Sequence, residues 1–157
     1  MSRYVLGVDP GLSGALALLD PDGDLLEVDD MPAAAGRVSG VLVQNLLRGW
    51  GCDMGHLDGT AVTEDVNARP TDARSSAFKF GRATGVVEGV IAANCWPLAY
   101  VTPAKWKKAL GLSADKGVSR RRAIELWPDH AHLFARVKDD GRAEAALLAH
   151  WWQEANR

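Results

Sequence analysis

Four acidic residues stand where carboxylates could perform chemistry. Asp9 directly follows the apolar run 4–8, and Glu64 follows the apolar run 61–63. Asp140 and Glu144 lie four residues apart at the start of a helical segment, so their side chains share one helix face. Carboxylates at the ends of buried strands are costly unless a cation neutralises them, and no obvious Lys or Arg partner stands beside each one. The pattern therefore indicates a divalent metal and phosphodiester chemistry.

Each acid also has an ordinary structural interpretation. Asp9 opens an Asp-Pro-Gly turn, Glu64 can be a surface acid at a strand end, and Asp139 or Asp140 can cap the last helix. The convergence of all four nevertheless favours a metal site. Two Mg²⁺ ions roughly 4 Å apart can hold the attacking and leaving oxygens of a phosphodiester, and Mn²⁺ accepts the same oxygen ligands.

Within such a site the four acids would have different tasks. Asp9 is the expected bridging ligand, and Glu64 and one of Asp140 or Glu144 would bind separate ions. The remaining acid would orient the attacking water.

The charges are distributed unevenly along the chain. The net charge is −2, but residues 1–63 carry three basic and nine acidic side chains, a net of −6. Residues 102–138 carry nine basic and three acidic side chains, a net of +6. A solvated helix can be this basic, but such asymmetry is also typical of a surface that binds a polyanion.

The apolar patterning predicts an α/β chain. We expect three antiparallel strands followed by two strands that flank crossover helices and therefore lie parallel to the first, with helices on both faces of the sheet. Residues 32–40 are predicted to be a loop, and a row of Gly81, Gly85 and Gly89 on the second helix indicates close approach of another backbone. The expected strands are 3–9, 14–19, 25–28, 60–66 and 97–101, and the expected helices are 41–50, 75–93, 104–110, 118–127 and 142–155.

The totals fit one ordinary domain over residues 1–157. With 157 residues and 47% hydrophobic side chains, the chain is long enough to bury a core. No apolar run approaches the length of a membrane span, and residues 1–9 do not have the pattern of a signal peptide. Cys52 and Cys95 form no Cys-x-x-Cys pair, so free thiols and a cytoplasmic location are expected.

Five segments, in order, resemble the RuvC-type Holliday junction resolvases, in the version of phage-type relatives. The first is Gly7 to Gly11 with Gly14, and the second is the strand that ends at Glu64. The others are the small-residue helix 77–85, the basic segment 100–108 with Asp115 and Lys116, and the acidic helix 139–149. The resemblance covers nearly the whole chain. It implies an RNase H-like fold and a Mg²⁺-dependent homodimer that cuts four-way junctions by paired nicks.

The resemblance also implies roles for basic residues. Lys107 and Lys116 match family positions near the scissile strand, where they would contact phosphate or stabilise transition-state charge, and Lys116 is expected to be catalytic. Ser75, Lys79 and Arg82 would line the DNA cleft. The remaining expected DNA contacts are Arg69, Lys105, Lys108, Arg120 and Arg121.

Two departures from the family pattern leave alternatives open. The last two acids are four residues apart rather than three, so Asp139 is an alternative to Asp140 as a ligand. The loop 65–71 lacks the aromatic residue that bacterial relatives place there, and Arg69 and Pro70 are the available substitutes. The alternative functions are a less selective flap or fork nuclease, a YqgF-type RNA-processing nuclease, and a non-catalytic DNA-binding module.

Overall fold

The computed structural model describes residues 3–53 and 57–157, with only the backbone of Lys116 described. Its main sheet contains five strands in the order β3-β2-β1-β6-β7. The neighbours of β1 are antiparallel β2 and parallel β6, and β7 continues the parallel side. The strands are β1 (Tyr4–Asp9), β2 (Ala15–Leu19), β3 (Leu25–Asp30), β6 (Gly59–Glu64) and β7 (Leu98–Val101), and a separate hairpin contains β4 (Ala33–Ala34) and β5 (Arg37–Val38).

Helices cover both faces of this sheet. Side chains alternate along each strand, so Val5 of β1 packs on one face while Leu6 packs on the other. The first face is covered by α3 (Pro103–Ala109), α4 (Lys116–Leu126) and α5 (Asp140–Ala155). The second is covered by α1 (Gly40–Gly49) and α2 (Arg74–Ala93). The predicted mixed five-stranded sheet with helices on both faces is therefore confirmed.

A glycine lets α5 pack directly on the central strand. A Cβ atom at Gly7 of β1 would overlap the backbone carbonyl oxygen of Ala145 and lie 3.0 Å from the Cβ atom of Ala149. Ala145 and Ala149 are fully buried small residues, so the backbones of strand and helix lie very close together. This contact fixes the position of the carboxyl end of β1 relative to the first turn of α5.

The structure corrects one local prediction and leaves a second one open. Residues 32–40 are not only loop, because the hairpin of β4 and β5 lies within them, with a two-residue turn at Ala35 and Gly36. The close approach of a backbone expected at the glycines of α2 is not made within this chain, since a Cβ atom at Gly81, Gly85 or Gly89 would find nothing within 4 Å, and approach by another chain stays a prediction. These glycines lie opposite the buried face of α2, which carries Ala83, Val87 and Ile91.

Two segments that pattern reasoning missed precede α5. They are 3₁₀ helices at Pro128–Phe134 and Val137–Asp139. Such short elements show no apolar periodicity that would distinguish them from loops.

Among the helices of residues 3–53 and 57–157, none has both the length and the hydropathy of a membrane span.

Candidate active site

Asp9 and Glu64 stand side by side at the carboxyl ends of two parallel strands. In the ladder between β1 and β6, Val8 pairs with Thr63, and the Thr63 hydroxyl donates a hydrogen bond to the Val8 carbonyl at 3.3 Å. Asp9 and Glu64 are the next residues on each strand and both are half-buried. The expectation that two strand ends would bring these acids together agrees with this geometry.

The first turn of α5 lies against Asp9. A Cβ atom on Gly141 would approach Oδ2 of Asp9 at 3.2 Å and the carbonyl oxygen of Ser13 at 2.8 Å. Any larger residue at position 141 would therefore displace the chain around Ser13 or the Asp9 carboxylate. Asp140 is half-buried in the same turn, and Glu144 follows one turn later. The four predicted acids thus come from β1, β6 and α5 to one end of the sheet.

A lysine bridges two of these acids, which corrects the sequence-based expectation that they lack a basic partner. Lys107 Nζ lies 3.1 Å from Glu144 Oε1 and 3.8 Å from Glu64 Oε1. These side chains are 28%, 16% and 15% exposed, respectively. Sequence reasoning missed the contact because only the packing of α3 against α5 brings the lysine to acids that are distant along the chain.

A buried tryptophan orients Glu64. Trp106 is fully buried, and its Nε1–H donates a hydrogen bond of 2.9 Å to Glu64 Oε1. Lys107 Nζ also lies 5.2 Å from the centre of the Trp106 ring, within cation–π range. Two consecutive residues of α3, Trp106 and Lys107, therefore give Glu64 one hydrogen-bond donor and one neighbouring positive charge.

Burial raises the pKa of the Glu64 carboxyl above its ordinary value. The charge of Lys107 and the Trp106 hydrogen bond oppose this shift, while the negative charge of Glu144 adds to it. Because desolvation is the largest cause, the ionised carboxylate is disfavoured in the protein alone. A further cation at this position would favour its ionised form.

Asp139 is engaged elsewhere. Its side chain is 0% exposed and accepts hydrogen bonds from Arg136, at 2.7 Å from Nη2, 3.0 Å from Nε and 2.8 Å from the backbone N–H. Arg142 Nε lies 3.9 Å away. Burial would raise the pKa of Asp139, but these hydrogen bonds and charges hold it below its usual value. The carboxylate therefore closes the turn before α5, and this arrangement favours Asp140 over Asp139 as a ligand.

The acids of the site match a divalent metal in ligand type but not in spacing. Carboxylate oxygens are the ligand type that Mg²⁺ and Mn²⁺ prefer, and the Lys107 ammonium already provides a cation between Glu64 and Glu144. Among residues 3–53 and 57–157, however, no three His, Cys, Asp or Glu side chains are grouped closely enough to hold an ion. The carboxylates are therefore the right type of ligand for Mg²⁺ or Mn²⁺, but they would have to move closer together to hold an ion.

The predicted DNA-contacting residues fall on both sides of the acids. Lys107 and Lys108 line a groove of about 560 Å³ that reaches Glu144. Ser75, Lys79 and Arg82 line a second cavity together, on the side of α2. The side chain of Lys116 lies outside the described part of the structure.

The remaining predicted contacts have varied surroundings. Lys105 Nζ lies 5.8 Å from the centre of the Trp151 ring, and Arg120 donates to the Ala135 carbonyl at 3.2 Å. Arg121 lies 3.9 Å from Asp115, and Arg69 is exposed in the loop after β6. Arg120 is thus partly occupied within the protein, whereas Arg69 and Lys105 extend from its surface.

The sheet order, the parallel pair that carries two acids and the packing of α5 against β1 define an RNase H-like fold of the RuvC type. Two solved structures of Thermus thermophilus RuvC share it. One has a TM-score of 0.67 at 18% identity, and the other, RuvC in complex with a Holliday junction substrate, has 0.63 at 16% identity. Both alignments cover 98% of this chain and 95% of the other.

Sequence comparison adds nothing to this likeness. No protein-family model matches the chain, and no curated protein matches it. At identities of 16% and 18%, the structural likeness establishes the fold alone. The predicted similarity to phage-type relatives stays a prediction.

Proposed function

We propose that residues 1–157 form a single nuclease domain that resolves Holliday junctions by paired symmetric nicks. The observation that carries this proposal is the location of Asp9, Glu64, Asp140 and Glu144 at one end of an RNase H-like sheet. A protein that only binds DNA gains nothing from acidic side chains that face the DNA phosphates, because like charges repel. The acids therefore favour a hydrolytic site over a binding module.

In this proposal Asp9, Glu64, Asp140 and Glu144 hold two Mg²⁺ ions, or Mn²⁺ in their place. Bound metal would lower the pKa of the attacking water and neutralise the leaving 3′ oxygen. Trp106 keeps Glu64 in a fixed orientation, and Lys107 lies where it can exchange its carboxylate contacts for a phosphate. Lys116, at the start of α4, is proposed to add positive charge near the reacting phosphate.

The proposed path of the DNA follows the exposed basic side chains. Lys107 and Lys108 line the groove beside Glu144, and Lys79 and Arg82 lie on the other side of the Asp9 loop. Binding should weaken steeply with added salt, because phosphate contacts release counterions. The other proposed contacts are Arg69, Ser75, Lys105, Lys116, Arg120 and Arg121.

A second copy of the chain is proposed to pack on the glycine-bearing face of α2. A Cβ atom at Gly81, Gly85 or Gly89 would meet no atom of this chain, so another backbone could approach closely there. A two-fold dimer would offer two sites to the two strands that must be cut symmetrically. Gly85→Trp should convert the dimer to monomer in sedimentation velocity, whereas Gly49→Trp, at another open position, should not.

The test is cleavage of a labelled four-way junction with Mg²⁺, alongside linear duplex, flap and fork substrates. The wild type should nick the junction at symmetric positions, and Asp9→Asn should abolish cutting while junction binding persists. Asp22→Asn is the matched control, because Asp22 is an exposed carboxylate in the turn between β2 and β3. A cytoplasmic location accompanies this proposal, since the substrate is DNA.

Other outcomes would select the alternatives. The loop after Glu64 is exposed and has no aromatic residue over residues 65–72, which favours a broader nuclease as the second candidate. Preferential cutting of flaps or forks would establish that candidate, and cutting of structured RNA alone would establish an RNA-processing nuclease. Tight junction binding with no cutting of any substrate would establish a binding module.

A further inference from the structure

The cavity lined by Ser75, Lys79 and Arg82 also reaches Leu12, in the turn that follows Asp9. It has a volume of about 320 Å³ and lies between the hairpin of β4 and β5 and one side of α2. Val38, Ala83 and Val86 give it an apolar lining, and Leu12 and Phe78 border it with 51% and 67% of their surfaces exposed. Leu12 is three residues beyond Asp9, so the cavity adjoins the turn that follows the first acid.

Three cations surround this apolar lining. Arg37 comes from the hairpin, and Lys79 and Arg82 come from α2. No acidic residue lines the cavity, and none of these three side chains takes part in an ion pair recorded for the described residues. The cavity thus combines an exposed aromatic ring and aliphatic side chains with three positive charges.

The hairpin that forms one wall of the cavity has a tight turn. Its turn contains only Ala35 and Gly36, with φ angles of 51° and 71°. A two-residue turn with positive φ at both positions matches the right-handed twist of the strands in a hairpin. Arg37 follows directly in β5, so its backbone is set by that turn.

We propose that this cavity binds one unpaired nucleotide of DNA, with the base against Phe78 and the flanking phosphates on Arg37, Lys79 and Arg82. A site for phosphate alone would not need the apolar lining, and an apolar peptide would not need three cations. A nucleotide has a flat apolar ring and an anionic backbone, so it matches both features. Because Leu12 lines the cavity and lies three residues after Asp9, this nucleotide would be close to the proposed catalytic acids.

This inference rests on the proposed function and deepens it. Regular duplex DNA keeps its bases stacked, whereas a branch point exposes bases that can leave the stack. A pocket for an unstacked base next to the catalytic acids would therefore select branched DNA over duplex. It would do so from the hairpin and α2, independently of the loop that follows Glu64.

The test measures binding of a dye-labelled thymidine hexanucleotide by fluorescence anisotropy in EDTA, where no metal-dependent cutting occurs. Phe78→Ala should weaken binding about 5- to 150-fold, the range for loss of one stacked base. Phe80→Ala is the matched control, because Phe80 is exposed on the same helix but lines a different groove. An oligonucleotide with abasic sites at every position keeps the phosphates, so it should bind weakly to both wild type and Phe78→Ala.

Arginine substitutions test the phosphate contacts. Arg37→Ala should weaken hexanucleotide binding and reduce its salt dependence, whereas Arg48→Ala, at an exposed position on α1, should do neither. Circular dichroism and sedimentation velocity should show that every variant keeps the wild-type fold and assembly state.

Three results would overturn the nucleotide pocket: equal binding of abasic and intact oligonucleotide, equal effects of Phe78→Ala and Phe80→Ala, or no effect of Arg37→Ala. Failure of the proposed nuclease function is separately visible. If no junction is cut but Phe78 and Arg37 still govern oligonucleotide binding, the pocket stands and the nuclease proposal is rejected.

Discussion

Two neighbouring aspartates should respond in opposite ways to the same substitution. Asp139→Asn keeps the size of a fully buried side chain but removes the charge and one of the oxygens that bind Arg136. Asp140→Asn changes a half-buried carboxylate in the first turn of α5. We expect Asp139→Asn to unfold more easily while its folded fraction still cuts, and Asp140→Asn to stay folded but lose cleavage.

The magnitude follows from the contacts of Asp139. Hydrogen bonds to a charged group contribute about 1.5–3 kcal/mol each, and breaking a buried pair costs about 3–5 kcal/mol. Because Arg136 is half-exposed and can be rehydrated, we expect the free energy of unfolding to fall by about 2–4 kcal/mol for Asp139→Asn. This corresponds to a decrease in melting temperature of roughly 4–16 °C for a chain of this size. Asp140→Asn should lower the free energy of unfolding by less than Asp139→Asn does, by about 0.3–1 kcal/mol for a charge in the first turn of a helix.

The effect of Asp139→Asn should also depend on pH. The pKa of Asp139 is held below its ordinary value, so its charge stabilises the fold above the pKa of an unfolded aspartate. That contribution is lost as the pH falls through the folded pKa. The stability gap between wild type and Asp139→Asn should therefore be full at neutral pH and shrink under acidic conditions.

Urea unfolding across this pH range, paired with junction cleavage per folded molecule, measures both variants. The reasoning is refuted if Asp139→Asn melts like the wild type yet cannot cut. Loss of folding in Asp140→Asn would equally reverse the assignment of the two residues.

Three further substitutions test the site and its support. Glu64→Gln should abolish cutting. In EDTA at neutral pH it should also raise the melting temperature, because burial raises the pKa of Glu64 and so disfavours its ionised form. This gain should vanish at acidic pH, where wild-type Glu64 is protonated. A melting temperature below that of the wild type at neutral pH would contradict it. Trp106→Phe removes the hydrogen-bond donor to Glu64, which should raise the pKa of Glu64 further. The acidic limb of the plot of cleavage rate against pH should then move to higher pH. An unshifted limb would argue against the hydrogen bond between Trp106 and Glu64. Gly7→Ala should lower the free energy of unfolding by more than about 3 kcal/mol, because its Cβ atom would overlap the Ala145 carbonyl, whereas Gly49→Ala, in open space, should be tolerated in thermal unfolding.

Much of the fold could be predicted because its signals are local and repeated. Apolar runs mark the five strands, and the crossover rule orders β6 and β7 beside β1. The hairpin at Ala33–Val38 could not be predicted, since its strands have two residues each and show no periodicity. Its turn also places an alanine at positive φ, where sequence patterns lead one to expect glycine or asparagine.

The candidate site was predictable only to the level of its acids. Asp9 and Glu64 were found because strand ends are visible in the sequence, but the contact of Lys107 with Glu144 depends on how α3 packs. Asp139 and Asp140 have the same chemistry and differ only in environment. One signal could have distinguished them, namely Arg136 three residues before Asp139, at the spacing of a local ion pair.

The packing of the first strand on the last helix has a consequence for biosynthesis. Asp9 emerges from the ribosome early, but Gly7 meets Ala145 and Asp9 meets the turn of Gly141 only after residues 140–149 have followed. The four carboxylates therefore cannot come together before α5 has been synthesised. The proposed hydrolytic centre would therefore be inactive until α5 has packed on β1.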